Sequence, residues 1–123
     1  MNIVDSSGWL EYFANGKNAG IYEPIITGLD DLLVPTITLY EVFKKVLQQR
    51  DETQALIAIA IMQQGSVIEL TNSIAINAAK ASVKHKLPMA DSIILTTARQ
   101  YSATLWTQDE DFKNIEGVKY IKK

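Results

Sequence analysis

Short runs of apolar residues along the chain alternate with longer stretches in which apolar residues recur every three or four positions. The first run, Asn2–Asp5, reads as a short buried strand. Ser6 or Ser7 can cap the helix that follows, and Asn15 and Gly16 stop it after about Ala14. Ile21–Leu29 predicts a second helix, ended by Gly28 or by the pair Asp30–Asp31, and Leu32–Pro35 a second strand. The next helix has the clearest pattern. Thr36 or Thr38 offers a cap, and Leu39, Val42, Phe43, Val46 and Leu47 follow the i, i+3, i+4, i+7, i+8 spacing of one buried face. A further helix is expected from about Glu52 to Gln64, with Gly65 as its stop. Val67–Leu70 predicts a third strand, and Thr71–Ser73 caps for a helix to about Lys86. Pro88 can open the next helix at its first turn. Ala90, Ile93, Ile94, Ala98 and Tyr101 give that helix its apolar face. Ala103–Trp106 and Val118–Ile121 read as the fourth and fifth strands.

Strands separated by helices imply parallel pairing, because a parallel crossover needs a helix-length connection. The expected fold is α/β, a three-layer α/β/α domain with a central parallel sheet of about five strands. Such sheets present their reactive groups beyond the carboxyl ends of the strands. No linker, repeat or low-complexity segment interrupts the 123 residues, so residues 1–123 are expected to form one domain. With 47% hydrophobic residues the chain can fold without staples. It has no cysteine, which excludes a disulfide scaffold and a thiolate zinc site and fits a reducing cytoplasm. Its longest apolar run, Ala55–Met62, is far short of the ~18 residues of a membrane span, and no signal-peptide pattern opens the chain. A net charge of −2, from 12 basic and 14 acidic residues, is not the balance of a protein that holds nucleic acid by phosphate neutralisation alone. That objection weakens if a divalent cation covers some of the carboxylates.

Four acids bear on that point. Asp5 ends the first strand, where it is either a helix cap or a site residue. Asp109 lies just beyond the fourth strand, in an acidic loop or at a site. Asp91 sits in the first turn of its helix. There it can complement the helix dipole, and it falls on the flank of the apolar face, where a half-buried carboxylate needs a partner. Glu41 points almost directly away from the apolar stripe of its helix, which by periodicity makes it a solvated glutamate. If all four converge, they cannot stay ionised together. Two unit charges ~4 Å apart repel by roughly 4 kcal/mol at an effective dielectric of 20. Oxygen-only ligands favour hard ions such as Mg²⁺ or Mn²⁺, and phosphoryl transfer is the chemistry suited to such a site.

Four stretches, taken in order, resemble the PIN domain and, within it, the VapC-type toxins of toxin–antitoxin pairs. They are Ile3–Val4–Asp5–Ser6–Ser7, Thr38–Leu39–Tyr40–Glu41–Val42, Leu87–Pro88–Met89–Ala90–Asp91–Ser92–Ile93–Ile94 and Leu105–Trp106–Thr107–Gln108–Asp109–Glu110–Asp111–Phe112. The resemblance implies a metal-dependent endoribonuclease. Asp5, Glu41 and Asp91 would ligate Mg²⁺ or Mn²⁺, and Asp109 would act as the fourth acid. Asp111 would match a more variable acid, and Ser7 and Thr107 would support the site by hydrogen bonding. RNA would be cut by a metal-activated water to leave a 5′-phosphate and a 3′-hydroxyl. The resemblance further implies a homodimer inhibited by a cognate antitoxin. It assigns Glu41 a role that the helix pattern does not.

Other residues admit two readings. His85, among Lys80, Lys84 and Lys86, belongs to a solvated basic face or, with Lys44, Lys45 and Arg50, to a phosphate-contacting one. Trp9, Tyr12 and Phe13 read mainly as core. Ala55–Met62 is more apolar than one buried helix face requires, so part of it can serve a dimer or antitoxin interface. Two rival functions share the fold class. A Mg²⁺-binding phospho-acceptor signalling domain usually carries an acidic pair after its first strand, where Asp5 here stands alone. A PIN-like module kept only for protein association would bind no metal.

Overall fold

The computed structural model describes residues 1–123. Five parallel strands, β1 (Asn2–Val4), β2 (Leu32–Pro35), β3 (Ser66–Ile68), β4 (Thr104–Thr107) and β5 (Val118–Tyr120), form one sheet in the order β3-β2-β1-β4-β5. Helices α1 (Ser6–Phe13), α2 (Ala19–Thr27), α3 (Thr36–Gln49), α4 (Glu52–Met62), α5 (Asn72–His85) and α6 (Met89–Gln100) connect them. The order reverses at β1: the chain steps outward through β2 and β3, then returns to the other side of β1 as β4. Ligands bind such sheets at this reversal, outside the carboxyl ends of the strands.

Period-two alternation builds the two faces of the sheet. Ile3, Leu33 and Leu105 face a core shared with Leu87, Ile94, Leu95 and Phe112. Their neighbours Val4, Leu32 and Val34 face the opposite core, with Trp9, Tyr22, Ile26, Val42 and Met62. Trp9 is fully buried and stacks on Phe13 at 5.7 Å, while Tyr12 and Phe13 are half-buried, so the core reading of these aromatics holds.

Several boundaries differ from the sequence expectation for local reasons. The carboxylate of Asp5 caps α1 by accepting from the Gly8 N–H, so neither Ser6 nor Ser7 is the cap. Pro35 precedes α3 without a side-chain cap, and the Thr38 hydroxyl donates to the Pro35 carbonyl at 2.6 Å. β3 stops at Ile68 because its partner β2 ends at Pro35, so Glu69 and Leu70 leave the sheet. Lys86 lies past the end of α5, capping it in the left-handed region at φ 56°. The largest difference is α6. All residues from Asp91 to Ala98 are buried, so it is enclosed rather than one-faced, and Tyr101 lies beyond its end at 42% exposure. Two of its three buried hydroxyls are satisfied within the helix, Ser92 donating to the Met89 carbonyl and Thr97 to that of Ile93, while the third, Thr96, lines a groove against α5. α4 divides as its composition implied. Ala55, Ala58 and Met62 are buried, while Leu56 and Ile57 are about half exposed. No helix is long and apolar enough to cross a membrane.

Candidate active site

Asp5 leaves the sheet directly after β1, and Asp109 lies two residues after β4, the neighbouring strand across the topological reversal. Asp5 is 2% exposed and is held by three donors. Its Oδ1 accepts from the Ser7 hydroxyl at 2.6 Å and from the Gly8 N–H at 3.1 Å; its Oδ2 accepts from the Thr107 hydroxyl at 2.7 Å. Gly8 is required here, because a Cβ would come within 2.6 Å of both the Tyr22 ring and Val4. The two hydroxyls also fix the next loop: Ser7 accepts from the Gln108 N–H at 3.2 Å and Thr107 from that of Asp109 at 3.0 Å. Burial pushes the Asp5 carboxyl up to about 6, even though the three donors act in the opposite direction.

Asp91 enters the same region from the first turn of α6 and is 8% exposed, more deeply buried than its place on the flank of the apolar face implied. Burial, and then the negative charges of Asp109, Asp5, Glu41 and Asp111, push it up to about 7. No donor offsets this, in contrast to Asp5. Asp109 is half-buried and caps the 3₁₀ turn Glu110–Phe112 by accepting from the Asp111 N–H at 2.9 Å. That turn brings the exposed Asp111 round, so that Asp91, Asp109 and Asp111 each place one carboxylate oxygen within 4.8 Å of the other two.

Glu41 is half-buried, not solvated as the stripe of its helix implied. The face of α3 opposite the stripe meets the start of α1, where the Ser6 hydroxyl donates to Glu41 Oε1 at 2.6 Å. All five sequence-selected acids therefore gather in one region, with Ser7 and Thr107 bonded to Asp5. Four participants were not singled out from the sequence, Ser6, Asn18, Tyr22 and Gln108. Ser6 holds Glu41. Behind the site, the Asn18 amide donates to Gln108 Oε1 at 3.2 Å and to the Lys122 carbonyl at 3.1 Å, and the Tyr22 hydroxyl lies 3.4 Å from the same Gln108 oxygen. Ser6 stands beside Asp5 and could have been weighed as more than a cap. Asn18 and Gln108 sit in loops and carry no periodic signal.

The donor set fits a hard divalent cation. Every nearby side-chain ligand is an oxygen, and two oxygens on one octahedral ion at 2.0–2.1 Å are at most about 4.2 Å apart. At most one pair among three such ligands can be trans, the others lying about 2.9 Å apart, so the trio, its oxygens within 4.8 Å of one another, would draw together around a shared ion. Asp5 retains one free acceptor position of its four, on Oδ2.

The family model of the PIN domain matches residues 3–118. The chain belongs to the PIN domain family. No curated protein matches it. Solved structures similar to this PIN domain include a toxin–antitoxin complex from Klebsiella pneumoniae, with a TM-score of 0.79 and 22% identity over all of both chains. VapC20 of Mycobacterium tuberculosis, described as a sarcin–ricin loop cleaving toxin, aligns at TM-score 0.77 and 16% identity, over 100% of this chain and 98% of that one. The DNA-bound VapBC of Salmonella typhimurium aligns at 0.74 and 16% identity, over 99% and 98%. At these identities the likeness is one of fold.

Proposed function

We propose that this PIN domain is a Mg²⁺- or Mn²⁺-dependent endoribonuclease, the toxin of a type II toxin–antitoxin pair. The observation that supports this reading best is the convergence of Asp5, Glu41, Asp91, Asp109 and Asp111 at the reversal point of the sheet, with Asp91 pushed up to about 7 by burial and by four negative neighbours. A pocket of this kind is balanced by protons or by a cation, and an anionic phosphodiester enters it only with a cation present.

In this reading Asp5, Glu41 and Asp91 hold the ion, with Asp109 and Asp111 at the exposed side. The cation, when bound, neutralises charge on the phosphate and acidifies the attacking water. Thr107 and Ser7 keep Asp5 in one orientation, and Ser6 does the same for Glu41, so two of the ligands are oriented before the ion arrives. We assign to Asp109 the part of orienting the attacking water and accepting its proton. Cleavage breaks the bond from phosphorus to O3′ and leaves a 5′-phosphate and a 3′-hydroxyl. The phospho-acceptor reading is disfavoured because three of the four acceptor positions on Asp5 are occupied.

The partner reading rests on the toxin–antitoxin complexes among the structural relatives. It is supported by a 460 Å³ groove between α3 and α4 lined by Leu39, Tyr40, Phe43, Leu47 and Ile59, with Tyr40 and Leu47 exposed. This face is the one we assign to protein partners, the antitoxin and a second copy of the chain. The test of function is cleavage of RNA by the purified chain with Mg²⁺, Mn²⁺ or EDTA. Cleavage is expected only with a divalent ion and is expected to vanish in Asp5→Asn and Asp91→Asn while the fold survives. Wild-type rates in either variant would overturn the assignment.

A further inference from the structure

Charge is segregated in this chain. Residues 70–108 carry four basic side chains, Lys80, Lys84, Lys86 and Arg99, and a single acid, Asp91; the remainder carries eight basic and thirteen acidic residues. Three of those four basic groups, with His85, line one groove between α5 and α6. Its volume is 450 Å³, Thr96 and Gln100 contribute a hydroxyl and an amide, and none of its eight lining residues is acidic. A neighbouring cleft of 560 Å³ continues from the same Lys84 and Arg99. Arg99 Nη1 lies 3.4 Å from His85 Nε2, which orients the guanidinium through one of its five donors.

We propose that this groove carries backbone phosphates of the RNA strand to one side of the scissile bond, an inference that rests on the ribonuclease reading. The acidic pocket repels the strand it must hold, so affinity has to come from elsewhere on the chain. α6 links the two regions: Asp91 is in its first turn and Arg99 in its last. Eight residues at 1.5 Å each separate them by about 12 Å along the axis, the span of three to four stacked nucleotides at roughly 3.4 Å per step. Lysine, arginine, hydroxyl and amide donors are the groups that contact phosphate and sugar. The lining has no Phe, Tyr or Trp for a base to stack on, and lysine, hydroxyl and amide contacts to phosphate and sugar carry no sequence information, so the contact is indifferent to sequence. An acidic segment of a protein partner has similar charge but no reason to lie along the helix that carries Asp91.

The test is fluorescence anisotropy of a labelled, mixed-sequence 12-nucleotide single-stranded RNA with the intact chain in EDTA, between 50 and 200 mM salt. Lys80→Gln/Lys84→Gln/Arg99→Gln is expected to weaken binding by roughly thirtyfold and to flatten the slope of log K against log salt by about 2, for three lost contacts on a single strand. Lys80→Arg/Lys84→Arg is expected to keep both, and Lys113→Gln/Lys119→Gln, away from the groove, to keep the slope to within about one contact. Unchanged affinity and slope in the triple variant would overturn the proposal. So would a loss seen only with polyglutamate as probe, which would assign the groove to an acidic peptide. Cleavage separates the two readings. If the wild type cuts RNA and the triple variant keeps its KM, the groove proposal fails and the ribonuclease stands; if the wild type neither binds nor cuts RNA, both fail.

Discussion

The β1–α1 junction and the first turn of α6 each bury a carboxylate, and they treat it in opposite ways. Asp5 is met by two hydroxyls and a backbone N–H, the residues that also fix the β4 loop. Asp91 is met only by other acids, and every charge acting on it is negative. The first carboxylate is partly compensated from within the fold, its value raised only to about 6. The second is left for something that the fold does not supply. The difference separates an acid that also holds a backbone junction from one whose charge nothing in the fold offsets, both of them ligands in the reading proposed above, and it can be broken experimentally at either end.

The largest expected effect is on activity. Asp91→Asn keeps the shape of the side chain and removes its charge, and kcat is expected to fall by at least about 10³-fold, the order seen when a group that stabilises transition-state charge is lost. Asp5→Asn is expected to fall comparably. The comparison sharpens when stability is read alongside cleavage. A carboxyl raised to about 7 when folded, against 3.8 for the free side chain, favours folding at low pH. That contribution is fully present below about 3.8 and is lost as pH rises through about 7. In EDTA at pH 8, Asp91→Asn is therefore expected to be more stable than wild type by on the order of 2 kcal/mol, and indistinguishable from it near pH 4. Asp5→Ala goes the other way. It loses the cap, at about 1 kcal/mol, and leaves the hydroxyls of buried Thr107 and half-buried Ser7 without their acceptor. It is expected to destabilise by roughly 2 kcal/mol in urea titrations near pH 4, where the Asp5 carboxyl, raised to about 6, carries its proton. Equal signs for the two variants would erase the distinction.

Removing the ion gives the next effect. A divalent cation requires ionised carboxylates, so its stabilisation of the fold is expected to grow with pH. At an ion concentration about 100 times its Kd the gain is ~2.7 kcal/mol. Thermal melts with and without Mn²⁺ should separate widely at pH 8 and converge at pH 5, below the values of about 6 and 7 for Asp5 and Asp91. A separation that is the same at both pH values would place the ion elsewhere.

How much of this was legible in the sequence depended on where each signal lay. The five strands and their parallel pairing followed from short apolar runs spaced by helical patterns, because the crossover geometry leaves little choice; their order in the sheet did not. Asp5 and Asp109 were legible because strand ends locate them. Glu41 was not: a single stripe assumes one buried face, and α3 is engaged on two, by α4 and by the start of α1. Asp91 was read as half-buried for a similar reason, since α6 is covered all round and Ser92 and Thr97, which look solvent-facing in a pattern, bond to their own helix. The links from Asn18 and Tyr22 to Gln108 span 86 to 90 residues and join loop to helix, where no periodicity records the pairing.

Thr107 tests the compensated end more gently. Its hydroxyl donates to Asp5 Oδ2 at 2.7 Å and accepts from the Asp109 N–H at 3.0 Å, both inside a residue of 0% exposure. Thr107→Val keeps the volume and removes both bonds, leaving a buried N–H unpaired at a cost of about 1–2 kcal/mol. The larger consequence is electrostatic. Asp5 loses a donor that favours its charged form, so its carboxyl rises above about 6. The alkaline shift of the acidic limb of kcat/KM is then the readout, and it separates positioning from mere folding, because a purely structural lesion would lower the plateau without moving the limb. Asp111→Asn is the smallest step. It removes one exposed ligand from the trio and one of the weaker charges acting on Asp91. A loss of less than about tenfold is expected, recovered at higher Mn²⁺, because the buried ligands remain and only the affinity of the open side has changed. A loss equal to that of Asp91→Asn would move the centre of the site outward, onto the 3₁₀ turn, and would remove the buried carboxylates from the ion's first ring of contacts.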